Sequence, residues 1–147
     1  MFTTAYPDPL TQSHFYTAVP VKRAVAWLVD TILIAVLVSL LIPLTGFLAL
    51  FFLGGLYLVV SFLYRWIGLA RNSGTIGMRM MGVEFRDAAG YRIDASAAFA
   101  HTLFYSLSVA FVFPQLLSVL MMAFGKRGQS LSDVVLGTVL VNRTALI

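Results

Sequence analysis

The residue of this sequence most able to do chemistry is a carboxylate inside a long apolar run. Asp30 is the one formally charged residue between Ala24 and Ile42. A charged side chain inside a membrane helix costs a few kcal/mol to insert and usually faces protein or water. Arg23 precedes Asp30 by seven residues, which places both on one side of a helix with Cα atoms roughly 10.5 Å apart. Asp30 is therefore expected either to pair with Arg23 or to handle an ion or a proton.

A polar stripe is the second feature that could bind a ligand. His101, Tyr105 and Ser108 recur at intervals of four and three residues, so they lie on one face of a helix. Such stripes in membrane helices usually make hydrogen bonds between helices, and a ligand or proton path is the alternative. A similar stripe on the preceding apolar run consists of Tyr57, Ser61 and Tyr64.

The sequence shows no recognisable catalytic or metal-binding motif. It has no cysteine, its two histidines lack ligand spacing, and the HExxH, Walker A, GxSxG and GxGxxG patterns are missing. We therefore expect no enzyme activity, no metal and no other cofactor. Lysine and arginine exceed aspartate and glutamate by 10 to 6. We attribute this excess to the flanks of membrane spans and expect no nucleic-acid partner.

Membrane helices must position these side chains, because 60% of the residues are hydrophobic and 11% are charged. An average soluble domain is about half apolar and about a quarter charged, so this chain has too little polar surface to be one. Disorder is excluded as well, since it needs low hydrophobicity and high charge. The composition predicts an integral membrane protein of one domain, with the lipid bilayer as its partner.

Two full transmembrane helices are predicted in the first half of the chain. Ala24 to Ile42 is 19 residues, roughly 28 Å as a helix, which is about the hydrocarbon thickness of a bilayer. Pro43 and Gly46 end this run, and Thr45 to Tyr64 is a second uncharged span. Because the link is short, the two spans are expected to form an antiparallel hairpin.

The termini are predicted to flank one membrane domain over residues 20–142. Residues 1–19 lack the basic and apolar regions of a signal peptide, and their prolines favour an extended tail. Residues 143–147 are a short C-terminal tail. We expect the tails to be cytoplasmic and the protein to be a multi-pass component of the cell membrane.

The charged segment 65–94 is predicted to be aqueous and to contain a small cytoplasmic β-hairpin. Alternating apolar and polar residues in Gly82 to Arg86 and Tyr91 to Ile93 favour two short strands joined by the turn at Asp87 to Gly90. Val139 to Val141 could add a third strand.

A third hydrophobic block, Ala95 to Phe124, is divided by Pro114. It could be one kinked helix or a re-entrant hairpin. The link Pro43 to Gly46 has no basic residue, and a return near Pro114 would leave all 10 basic residues on one side, so the positive-inside rule favours the return. The predicted fold class is an all-α integral membrane protein with two full transmembrane helices, this Pro-broken block and the small hairpin.

Three groups of residues together resemble the RDD family of small membrane proteins, named for one arginine and two aspartates. The first group is Arg23 with Asp30. The last is Leu131-Ser132-Asp133 followed by Gly137-Thr138 and an apolar strand, and the middle one is Thr75-Ile76-Gly77-Met78 with Gly82-Val83. The resemblance covers about residues 19–142. The sequence departs from the family pattern at Met78, where a lysine is usual, and at Ser132, where a histidine is usual.

The resemblance implies a membrane protein of no firmly established activity, for which transport of ions or small ligands has been proposed. An alternative is a noncatalytic accessory or assembly protein that binds another membrane protein. A chain of 147 residues is small for a complete transporter, so a transport role implies a homo-oligomer. We further predict that Arg23, Asp30 and Asp133 form one charge cluster near the cytoplasmic face.

Overall fold

The computed structural model describes residues 6–143, most of them helical. Short 3-10 helices cover Ser13–Phe15 and Leu48–Phe52. The other elements, in chain order, are α1 (Val19–Leu44), α2 (Leu53–Asn72), α3 (Ile76–Met80), β1 (Val83–Asp87), α4 (Ala95–Ala110), α5 (Val112–Phe124), α6 (Leu131–Leu136) and β2 (Thr138–Asn142). The predicted fold class is confirmed, with two helices long and apolar enough to cross a membrane, a bent helix pair and a small sheet.

Helix α1 is apolar around its circumference, but one stripe faces the protein. Its buried residues include Ala26, Asp30, Ile34 and Val38, spaced four residues apart, whereas large apolar side chains elsewhere on the helix are exposed. A helix that is apolar on all sides is typical of a membrane span. The inward stripe packs mainly against α2 and α3, so the buried carboxylate of Asp30 lies in a protein contact and not in lipid.

The second span lies further along the chain than predicted. The helical segment runs from Leu48 to Asn72, with a 3-10 turn before α2, instead of ending at Tyr64. Arg65 was expected to mark the start of the aqueous segment, but it lies within α2, two turns before the end of that helix. The Arg65 side chain is buried, with its guanidinium against the Tyr105 ring of α4, so it does not mark the boundary with water.

The third hydrophobic block is broken as predicted, although the break lies at Phe111 and not at Pro114. Phe111 has extended backbone angles, and α4 and α5 meet there at a bend of 114°. Pro114 lies in the first turn of α5, where its missing N–H costs no helical hydrogen bond. Since β1 precedes α4 and its partner β2 follows α5, both ends of the bent pair lie at the same end of the molecule, which we call the sheet end.

The predicted β element is present, but its main pairing differs from the predicted hairpin. Strand β1 pairs antiparallel with β2, in a register that places Phe85 opposite Leu140. The segment Tyr91 to Ile93 contributes one isolated bridge, between Arg86 and Arg92. The apolar side chains of β2 are all fully buried, so β2 offers β1 a larger apolar contact than the short polar segment after the turn.

The N-terminal segment is not the extended tail that its prolines suggested. Over its described residues it forms the 3-10 helix Ser13–Phe15 and packs on β2. The Nδ2 of Asn142 donates to the backbone carbonyls of His14 and Thr17, each at 2.9 Å. The segment therefore covers the sheet. Of the predicted C-terminal tail, residues 144–147 lie outside the described residues.

Candidate functional site

The Asp133 carboxylate is the centre of a buried ion-pair network at the sheet end. Arg23 reaches it from α1 in a forked geometry, with Nη1 at 2.5 Å from Oδ2 and Nη2 at 3.3 Å from Oδ1. His101 Nε2 on α4 lies 2.7 Å from Oδ1. Asp133 is completely buried. Two-point pairing of a guanidinium with a carboxylate is the strongest form of this contact. Because Arg23, His101 and Asp133 lie on α1, α4 and α6, the network holds these three helices together.

The first turn of α6 positions the Asp133 carboxylate for this network. It is the third residue of α6, and a capping box joins it to Ser130, whose backbone N–H donates to Oδ2 at 2.9 Å. Although burial alone would raise the pKa of the Asp133 carboxyl, the charge of Arg23 and the hydrogen bond from His101 hold that pKa well below its usual value. Phe85 packs against both partners, with its ring beneath Arg23 and beside the His101 ring.

Asp30 forms a second, separate centre with neutral donors. Its Oδ1 accepts from the Tyr64 hydroxyl at 2.6 Å and from the Gly77 backbone N–H at 2.9 Å, and its Oδ2 accepts from the Thr75 hydroxyl at 2.5 Å. Thr75 is also the N-cap of α3. The carboxylate therefore fastens α2 and the start of α3 to α1.

Gly77 is required by this second centre because there is no space for a side chain. A Cβ built on Gly77 would lie 2.3 Å from the carbonyl oxygen of Ala26 and 2.7 Å from Asp30 Oδ1. Both distances are well below van der Waals contact, so only glycine lets α3 approach α1 this closely.

The predicted cluster of three charges is thus divided into two centres. Arg23 and Asp133 meet, but within residues 6–143 no hydrogen bond or ion pair joins Arg23 to Asp30. The physical reason is that the neutral donors of α2 and α3 satisfy Asp30, while the Arg23 fork fits Asp133. Any functional role of the three residues stays a prediction.

A cavity of about 620 Å³ lies between the helices and joins the two centres. Asp30, Arg23 and His101 line it, together with the buried side chain of Arg65. Its volume falls within the range of small-ligand sites. Much of its wall is apolar, formed by side chains of α1, α2 and α5 such as Val25, Leu69 and Met122.

The predicted polar stripe on α4 faces this cavity. His101, Tyr105 and Ser108 all line it. Two of them contact other helices: His101 binds Asp133, and the Tyr105 hydroxyl accepts from Trp27 Nε1 at 2.8 Å. Ser108 donates instead to the carbonyl of Phe104 on its own helix at 2.8 Å. Within residues 6–143, no three His, Asp or Glu side chains group as a metal site.

Sequence reasoning missed Arg65 as a site residue. It was interpreted as the charged end of the second span, whereas its guanidinium carbon lies 4.3 Å from the centre of the Tyr105 ring and its side chain lines the cavity. A signal was available: Arg65 follows Tyr64 by one residue and Ser61 by four, so it extends the polar stripe noted on that helix.

The fold and the site define an integral membrane protein with charged groups buried between its helices. The model of the RDD family matches residues 17–137, most of the chain, and the chain belongs to that family. The matched region includes all three named charges, Arg23, Asp30 and Asp133, and the resemblance stated above is confirmed. No curated protein and no solved structure matched the chain.

Proposed function

We propose that this protein binds a small ion or ligand in the cavity between its helices and carries it across the cell membrane. The observation that carries the proposal is the complete burial of Asp30 beside a cavity that other charged side chains also line. Ionisable groups within membrane helices commonly mark substrate and ion pathways. Such a role involves no catalytic step and no bound cofactor.

The proposal includes self-association. Two full spans and one bent pair leave one side of the cavity open, where Val21 and Val119 are 65% and 47% exposed. A closed pathway needs protein or lipid on that side, and transporters usually place their sites between structural repeats. We propose that a second copy of the chain supplies the missing side during transport.

The first prediction concerns orientation, for which we propose cytoplasmic termini. Reporter fusions at Thr45, in the turn after Asp87 and at the C-terminus should place the first outside and the other two in the cytoplasm. The reasons are that the link after α1 has no basic residue and that the β1–β2 pair must lie on one side of the membrane. An external C-terminus would contradict both the orientation and the return of the chain through α4 and α5.

The second prediction tests transport in vesicles that contain the purified protein. The flux of protons, followed with a trapped pH dye, of monovalent cations or of a small carboxylate should exceed that of protein-free vesicles. Asp30→Asn should lower the flux by about tenfold or more, because the buried charge is part of the pathway. Asp94→Asn is the matched control, since Asp94 is an exposed N-cap of α4 that asparagine replaces well.

Stability must be separated from transport in this test. Tyr64→Phe removes one donor from Asp30 but keeps the carboxylate, so it should weaken the fold without abolishing flux. If correctly inserted wild-type protein gives no flux above protein-free vesicles, the transport proposal is wrong and an accessory role for another membrane protein takes its place.

A further inference from the structure

Arg65 is a buried cation without a partner. Its exposed fraction is 7%, and its Nε is buried with no hydrogen-bond acceptor. Over the described part of the chain, the Arg65 side chain makes no hydrogen bond and no ion pair, and its guanidinium lies against the face of the Tyr105 ring. A guanidinium has five N–H donors, and buried charges in proteins are normally paired.

The carboxylate that lines the cavity, Asp30, and the neighbouring buried carboxylate, Asp133, are already occupied. Asp133 accepts from Arg23, from His101 and from a backbone N–H, and Asp30 accepts from the three neutral donors described above. Neither forms a hydrogen bond with Arg65. The Arg65 donors thus remain available to a group that enters the cavity.

Other polar groups with unused donors line the same cavity as Arg65. The Tyr105 hydroxyl accepts from Trp27, which leaves its own proton free to donate. Gln115, on α5, lines this cavity, and its side chain makes no hydrogen bond within residues 6–143. Together these groups offer donors to an oxyanion.

The remaining wall of the cavity suits an apolar chain. Its open edge includes Val21, in the first turn of α1, and Val119, in α5, which are apolar and exposed. A ligand in the cavity can therefore extend its apolar part along this edge. A free inorganic anion would gain nothing from that apolar wall.

We propose that Arg65 binds the anionic group of an amphipathic ligand, a carboxylate or phosphate carried on an apolar chain. This inference rests on the proposed function, because it names the class of ligand that the same cavity takes. The anionic group replaces the missing partner of Arg65, and the chain lies against the apolar wall. The Asp30 charge in the same cavity favours singly over multiply charged head groups.

Binding can be measured through Trp27, which lines the cavity. In a Trp66→Phe background Trp27 is the sole tryptophan of the chain. The full-length protein, in phosphatidylcholine nanodiscs, is titrated with brominated dodecanoate, whose bromine quenches tryptophan fluorescence. We expect saturable quenching, and brominated dodecanol, which lacks the charge, should bind about tenfold more weakly or worse.

Arg65→Gln should weaken dodecanoate binding by about tenfold or more, since a hydrogen bond to a charged group is lost. Arg71→Gln is the matched control, because Arg71 lies on the same helix but is exposed and outside the cavity. Without ligand, Arg65→Gln should be at least as heat-stable as the parent, since the charge it removes has no partner.

Several results would overturn the inference. These are an absence of saturable quenching, equal affinity for dodecanoate and dodecanol, or unchanged dodecanoate binding by Arg65→Gln. Displacement of dodecanoate by equimolar inorganic phosphate would also overturn it, because a free anion would then suffice. If Arg65→Gln does not fold, the relative affinities of the parent protein for dodecanoate and dodecanol still test whether the cavity selects an anionic group. Binding without flux would reject the transport proposal alone, and flux without binding would reject this inference alone.

Discussion

Replacing Arg23 by alanine is expected to lower the free energy of unfolding by about 3–5 kcal/mol, because it leaves the buried Asp133 carboxylate without its guanidinium partner. Asp133 is completely buried, and Arg23 holds both of its oxygens. The remaining neighbours, His101 and a backbone N–H, do not replace a permanent charge. Thermal or denaturant unfolding of the purified protein in detergent measures the effect.

The double-mutant cycle gives this prediction its control. Arg23→Ala combined with Asp133→Asn should lose less stability than the sum of the single variants, because the two side chains contact each other. Arg23→Ala combined with Asp30→Asn should be additive, since Asp30 has other partners. Arg79→Ala, which removes an exposed arginine, should change little. Additivity between Arg23 and Asp133 would show that their pair contributes no stability.

Acid should abolish the same contribution. The pKa of Asp133 is lower in the folded protein than the ordinary value of about 3.9. The stabilisation is therefore fully present above that ordinary value and is lost as the pH falls through the lowered one. Asp133→Asn should reduce this acid sensitivity in an unfolding titration.

The second large effect is expected from Gly77→Ala. The added methyl would overlap the Ala26 carbonyl and the Asp30 carboxylate. α3 must then move away from α1, and the Gly77 N–H loses its bond to Asp30. Overpacking costs typically about 1–3 kcal/mol and a lost bond to a charged group about as much again, so we expect a loss of about 3 kcal/mol or more.

The matched control for Gly77→Ala is Gly54→Ala. Gly54 lies in α2, and a Cβ there would meet no atom within 4 Å. Because alanine is the better helix former, Gly54→Ala should leave stability unchanged or raise it slightly. Equal melting temperatures for Gly77→Ala and wild type would show that the close approach of α3 to α1 is not needed.

The features that could be predicted from the sequence are those set by local composition. The apolar run containing Asp30 predicted α1, and the order of the three motifs predicted the family. The end of the second span was predicted too early, because Arg65 was expected at the water boundary and instead lies against Tyr105 on α4. Local composition contains no information on that distant partner.

The partners of Asp30 were also beyond sequence reasoning. Arg23 was the nearest opposite charge along α1, and helical spacing brought the two close. The structure instead satisfies Asp30 with Tyr64 and Thr75. Tyr64 and Thr75 lie 34 and 45 residues from Asp30 and are uncharged, so no charge pattern in the sequence links them to it. Tyr64 was noted only as part of a polar stripe, and Thr75 only as part of a family motif.

The pairing of β1 with β2 determines the order in which the chain can complete its fold during synthesis. Fifty residues separate Asp87 from Thr138, so β1 cannot pair with β2 until the chain has been synthesised through residue 142. All residues that bind Asp30 lie before position 78 and can assemble early. The pair of Arg23 with Asp133 can form only after Asp133 has been synthesised, so the Asp30 centre can assemble before the Asp133 centre. Closing so long a loop is slow relative to local helix formation, and the final step therefore couples the ion pair to the sheet.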